Sequence, residues 1–228
     1  MALYILIFVG TLGLSLFATW RVKAKFRKFS EVRTVSGITG AEAARRILLM
    51  NNIDEVEVVS QEGTLSDHYD PKHRRLVLSE ENYHGDSVAA LGVAAHEAGH
   101  AIQHSQAYAP LHARMLAVGA TGIASQVVMW LPLVGIFTGI FAGSVGFTIM
   151  AVGWGVIMAF NLITLPVEFD ATRRAKAMLT TTGMIVHEER QGVDEVLDAA
   201  AWTYVAAFIT SFAYLLYYAL PLLTGSEE

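Results

Sequence analysis

The chain contains no cysteine. Disulfide bridges and thiolate metal ligands are therefore excluded, and any metal must be held by histidine and carboxylate groups. Charge is scarce as well. Only 16% of the 228 residues are Asp, Glu, Lys or Arg, against 54% hydrophobic, and the mean hydropathy is +0.43. An ordinary soluble domain carries about 25% charged residues, so this chain is too apolar to be one. The scarcity is also uneven. No Asp, Glu, Lys or Arg occurs in residues 1–20, from Met115 to Val167, or from Ala199 to Ser226. No basic surplus exists either: the net charge is −5, and no nucleic-acid partner is implied. Internal repeats and low-complexity segments are absent.

A bilayer span needs about 20 apolar residues. The first and last uncharged runs fit one helix each. The middle run fits two, with a break expected near Leu131-Pro132-Leu133-Val134-Gly135. Four transmembrane helices are thus predicted, at about 2–20, 113–133, 137–164 and 200–223. The first segment lacks a basic leader and a small-residue cleavage site before Trp20, so it reads as an uncleaved anchor. All sixteen Lys and Arg lie in Arg21–Arg114 and Arg173–Arg190. The positive-inside rule then places both basic segments in the cytoplasm and both termini outside. Arg21, Lys23, Lys25, Arg27 and Lys28 serve as a topological anchor beside anionic lipid.

One motif carries chemistry. His96-Glu97-Ala98-Gly99-His100 reads H-E-x-x-H within an Ala/Gly/Val/Leu-rich helical stretch. Histidines four apart on a helix share a face, about 6 Å from each other. Their neutral nitrogens can bind one Zn²⁺ at about 2.0–2.1 Å. Zinc lowers the pKa of a bound water to about 7, and the adjacent Glu97 can take that water's proton as it attacks a carbonyl. The alternative is a core helix with two satisfied histidines and a surface Glu. Burying such groups among Ala and Gly without partners is costly, which favours the metal.

Catalytic zinc has three protein ligands and an open position. The first charges after the long apolar run are Glu168 and Asp170, in Leu165-Pro166-Val167-Glu168-Phe169-Asp170. Carboxylates at a membrane boundary are expensive unless a metal or partner takes them. Two apart, they face different ways on a helix. Glu168 is taken as the ligand and Asp170 as the alternative, or as the group that orients a ligand histidine. A plain first-turn charge favoured by the helix dipole is the rival reading for both. His104 continues the histidine spacing but lies about 12 Å along the helix from His96; it reads as a residue behind the ligands or on the surface. Transition-state donors are sought among His84, Tyr83, His187, Arg173 and Arg174.

Before the motif, the chain reads as a small α+β region. Thr39 or Ser36 caps a helix from Ala41 to Asn51. Strands are predicted at Glu55–Ser60, Thr64–Tyr69 and Arg75–Leu78, in a sheet of about three. Residues 82–87 form a loop ending in an N-cap for the motif helix. Zinc endopeptidases commonly take substrate as an added strand on a sheet edge. The segment Arg75-Leu76-Val77-Leu78-Ser79 is the candidate edge.

Ser66-Asp67-His68-Tyr69-Asp70-Pro71, Tyr83-His84-Gly85, Ala95 to Gln103 around the motif, and Leu165-Pro166-Val167-Glu168-Phe169-Asp170-Ala171 follow one another in this order. Together they resemble the neutral zinc metallopeptidases of bacterial membranes (YugP type), from about Ser36 to the last span. The resemblance implies an integral membrane zinc peptidase with His96 and His100 as ligands and Glu97 as base. More distantly the chain is similar to the HtpX and CAAX-prenyl endopeptidases. Their third ligand is a Glu with an Asp four positions later; here that position holds Thr172. The extended metzincin pattern is absent, since positions 103 and 106 hold Gln. Asn161 to Pro166 with Asp170 echo the Asn-Pro…Asp-Gly motif of site-2 intramembrane proteases, with Ala171 in place of the Gly.

The expected architecture is mostly α: a polytopic membrane protein with about four transmembrane helices and a small α+β zincin-like cytoplasmic domain. Its parts are a span at 1–20, a cytoplasmic α+β domain at 21–112, two spans within 113–164, a cytoplasmic helical segment at 165–199 carrying the third ligand, and a last span and tail at 200–228. The expected activity is a gluzincin-like endopeptidase with one Zn²⁺ per chain, acting on protein or peptide at the cytoplasmic surface of a bacterial inner membrane. The rivals are a site-2-type intramembrane protease, a catalytically silent zinc-binding scaffold, and a metal transporter. The last needs ionisable residues inside the spans, and the middle run has none.

Overall fold

A computed structural model describes residues 2–63, 66–139 and 144–224. The expected strand start at Thr64 and the tail 225–228 lie outside these residues. The described chain is mostly helical with a three-stranded sheet. Its elements are α1 (Ala2–Ser30), α2 (Gly40–Met50), β1 (Glu57–Gln61), β2 (His68–Asp70), β3 (Arg75–Ser79), α3 (Glu80–His84), α4 (Val88–Ser105), α5 (Ala109–Thr138), α6 (Ser144–Thr181) and α7 (His187–Thr224). They divide into two compact units.

The first unit comprises Met1–Phe17, Ala113–Leu165 and Thr203–Glu228. It contains the uncharged stretches of α1, α5, α6 and α7, which among the described residues are the four helices long and apolar enough to cross a bilayer. Large apolar side chains stand exposed on them, Leu6 at 69% and Leu116 at 85%. Such a surface is stable only against lipid. Inside, Met150, Tyr214 and Tyr218 pack with Tyr4, Trp154 and Val128. Trp154 stacks on Tyr214 with ring centroids 4.5 Å apart. The chain is thus a multi-pass membrane protein.

Two boundary expectations are corrected here. Pro132 does not end a helix: α5 runs through it to Thr138. A proline inside a bilayer helix removes one hydrogen bond, which neighbouring groups can compensate. The helices also outrun the apolar stretches. α1 continues ten residues past Trp20, and α7 starts at His187 rather than near 200. Lys25 in the extension of α1 pairs with Glu195 in that of α7 at 2.6 Å.

The second unit comprises Ala18–His112 and Pro166–Trp202. Its core joins Ile47 and Leu48 of α2, Leu76 and Leu78 of β3, Leu91 and Ala98 of α4, Leu179 of α6, and Val193 and Leu197 of α7. Thr39 caps α2 in a capping box with Glu42, and Ser87 caps α4 by accepting from the Ala90 amide. The expected loop at 82–87 is partly helical, because α3 follows β3 directly. Asp67 holds that junction, accepting from the Ser79 amide and hydroxyl and from Asn82 Nδ2.

The sheet order is β1-β3-β2. β3 pairs parallel with β1 along its whole length and antiparallel with β2 over Arg75–Val77. The expectation that Arg75-Leu76-Val77-Leu78-Ser79 forms a free edge is therefore wrong. Leu76, Val77, Leu78 and Ser79 are all buried. A continuous apolar run marks a strand covered on both faces, which suits the centre of a sheet better than its edge.

Candidate metal centre

α4 is buried almost all round, from Val88 to Gln103. It presents His96 and His100 one turn apart with ring centroids 4.9 Å from each other. Glu168 faces both from α6. Its Oε2 lies 3.3 Å from His96 Nε2 and 3.5 Å from His100 Nε2. One ligand atom from each of the three residues falls within 4.8 Å of the others, and all three side chains are nearly buried. Two ligands bonded to one tetrahedral zinc at about 2.0–2.1 Å sit about 3.4 Å apart. The observed separations fit that span, so the donor set suits zinc.

Glu168 lies in the interior of α6, twenty-four residues after its start at Ser144. The first-turn dipole explanation for its charge is therefore excluded. Glu97 is 8% exposed, and among the described residues it makes no hydrogen bond or ion pair. Burial pushes the His100 imidazole down, but the hydrogen bond to Glu168 and the charge of Glu97 outweigh it and leave it raised.

The close approach of α4 and α6 depends on Gly99. A Cβ there would lie 2.8 Å from the Ala171 carbonyl oxygen and 3.2 Å from its Cα. The glycine of the motif is thus a packing requirement. It lets the two backbones meet one turn from Glu168.

The remaining candidates fall elsewhere. Asp170 points away from the cluster. It accepts from Gln103 Nε2 at 2.9 Å, from Arg174 Nε at 2.5 Å and from Arg173. Arg173 and Arg174 are thereby engaged, and Arg174 also reaches Gln106 at 2.6 Å. His104 Nδ1 meets the Tyr69 hydroxyl at 2.8 Å. Burial pushes the Tyr69 phenol up to about 12. His84 packs edge-on against Tyr83 at 4.8 Å. His84 and His187 are both exposed, and neither belongs to the metal-capable group. Asn161, the residue behind the site-2 echo, donates to the Ala207 carbonyl and to Ser211 on α7.

Two residues escaped the sequence reading. The Gln103 side chain lies 3.1 Å from His100 Nδ1 through its Oε1, and its Nε2 donates to the Val167 carbonyl at 2.8 Å. Thr172 Oγ1 lies 3.3 Å from His96 Nδ1. Thr172 occupies the position four after Glu168 where the distant families carry Asp, and it meets the first histidine. The available signals were a Gln three residues after His100, on the same helical face, and that family spacing.

A family model described as "Putative neutral zinc metallopeptidase" matches residues 4–222. The "Putative membrane protease YugP" of Bacillus subtilis (strain 168) is 43% identical over 231 residues, which cover 99% of each chain. No solved structure matches the chain. With nearly its full length covered on both counts, the chain belongs to the neutral zinc metallopeptidase family.

Proposed function

We propose that this protein is a membrane-embedded zinc endopeptidase in which His96, His100 and Glu168 hold one zinc ion and Glu97 is the general base. The observation that carries the reading is the three-donor cluster with the buried Glu97 next to His96 on the same helix. Zinc, when bound, supplies Lewis-acid activation of water and of the scissile carbonyl. Glu97 takes the proton of the attacking water on its carboxylate and delivers it to the departing amine. His96 and His100 would hold the ion through Nε2, each with its Nδ1 engaged by Thr172 or Gln103. Substrate is a protein or peptide. It is not taken to add to β3, which β1 pairs along its whole length and β2 over Arg75–Val77.

The same reading places the site at the cytoplasmic surface of a bacterial inner membrane, with both termini outside. All Lys and Arg lie in the two segments that make up most of the second unit, and basic segments stay inside. The unit that carries the cluster also holds a sheet and a separate core, as a peptidase working at the membrane surface requires.

Glu97→Gln tests the assignment. It is expected to retain one zinc per chain and to lose about 10²–10⁴-fold in peptide hydrolysis. The purified protein would be assayed on an unfolded protein substrate, with a chelator control and metal analysis. Hydrolysis by Glu97→Gln at the wild-type rate would refute the base. Wild-type activity unaffected by complete zinc removal would refute the metal.

A further inference from the structure

Gln103 is completely buried. A buried amide is costly unless every polar atom is satisfied, and here all are. Nε2 donates to the Val167 main-chain carbonyl at 2.8 Å and to Asp170 Oδ2 at 2.9 Å. The orientation of this amide is forced. A main-chain carbonyl can only accept, and Asp170, gripped by Arg173 and Arg174, is an ionised carboxylate that can only accept. Turning the amide over would set its oxygen against two oxygens. Oε1 must therefore face His100 Nδ1, 3.1 Å away. An amide oxygen has no proton to give, so Nδ1 carries the hydrogen.

We propose that Gln103 is a positioning residue that fixes the tautomer of His100, leaving Nε2 as a bare lone pair aimed at the zinc. Asp170 and its two arginines form the base of the relay by locking the amide. The relay rests on the zinc reading given above. It also assigns Asp170 a role: it orients Gln103 and does not touch the metal. Thr172 differs, because a hydroxyl can donate or accept, so it does not dictate the tautomer of His96. The two ligands are thus unequally constrained, His100 strictly and His96 loosely.

The test is zinc affinity, read by competition with a coloured chelator on the full-length protein in detergent. Gln103→Met keeps much of the volume and removes the amide. It is expected to weaken zinc binding about 10–100-fold. Gln103→Glu sets a carboxylate against Asp170 and the Val167 carbonyl, and a similar loss is expected. Adding Asp170→Asn to Gln103→Glu restores a donor opposite the new carboxylate, which can still accept from His100 Nδ1. This double variant is expected to bind zinc several-fold tighter than Gln103→Glu alone. A merely structural role gives no such rescue, and the melting temperature of each chelated protein provides the reference for folding. If Gln103→Met does not fold, the comparison of Gln103→Glu with the double variant decides. A double variant no tighter than Gln103→Glu, or a Gln103→Met that binds like wild type, overturns the relay while leaving the zinc reading intact. A wild-type protein that binds no zinc overturns both.

Discussion

Two glycines on α4 allow a sharp comparison. At Gly99 a new Cβ would meet the Ala171 carbonyl oxygen at 2.8 Å, its Cα at 3.2 Å and its carbonyl carbon at 3.3 Å. These are main-chain atoms of a helix and cannot swing aside. Ordinary contact begins near 3.4 Å, so in Gly99→Ala the two helices must part by about 0.6 Å. Ala171 is one turn from Glu168 on α6, and the displacement carries Glu168 away from His96 and His100. Zinc–ligand bonds tolerate about 0.2 Å. The cluster would open beyond that tolerance, and zinc affinity is expected to fall by about 10–100-fold. Overpacking itself should cost about 1–3 kcal/mol of stability.

Gly92, two turns earlier, provides the control. A Cβ there would meet only Val193 Cγ1 at 3.8 Å and Leu197 Cγ at 4.0 Å. Gly92→Ala should therefore stabilise the protein by about 0.5–1 kcal/mol through helix propensity, with zinc affinity unchanged. Both variants can be followed by thermal unfolding with and without chelator, and by zinc competition. A Gly99→Ala protein that binds zinc as tightly as Gly92→Ala would refute the argument that helix spacing sets the metal site.

Glu168→Ala should lose zinc entirely on desalting, whereas Asp170→Ala should retain one zinc per chain with affinity lowered about tenfold; metal analysis giving the opposite pattern would reverse the ligand assignment. The metal-free protein should also show a distinct pH dependence. Its folded state raises His100 above the unperturbed value of 6.5. The stability from this protonation is fully present below that value and is lost as pH rises through the folded value. Zinc must displace the same proton, so the stabilisation it adds should grow over that rising range. Melting temperatures with chelator should thus fall with pH while the zinc increment climbs; an increment flat with pH would exclude His100 as a ligand.

Much of the molecule could be read from local pattern. Runs of uncharged residues mark the four spans, because the bilayer acts on each helix separately. The caps Thr39 and Ser87 follow from side-chain chemistry within one turn. The H-E-x-x-H spacing aligns His96 and His100 by helix geometry alone. Other features resisted for identifiable reasons. Helix ends in α1 and α7 depend on pairs such as Lys25 with Glu195, 170 residues apart. The placement of β3 between β1 and β2 is a matter of sheet order, which a single strand does not encode. Pro132 looks like a break only if the surrounding bilayer bundle is ignored.

The amino-acid order by itself determined the membrane class and the helix that aligns His96 and His100 with Glu97 between them, because each rests on interactions within about one helical turn or on bulk partition into lipid. Only the tertiary structure decided which carboxylate closes the cluster. Glu168 and Asp170 are both carboxylates and stand two residues apart. Their roles separate because α6 meets α4 at Gly99, which turns Glu168 to the histidines and Asp170 to Gln103 and the arginines. That contact spans 72 residues of chain between His96 and Glu168, and no local rule reaches so far.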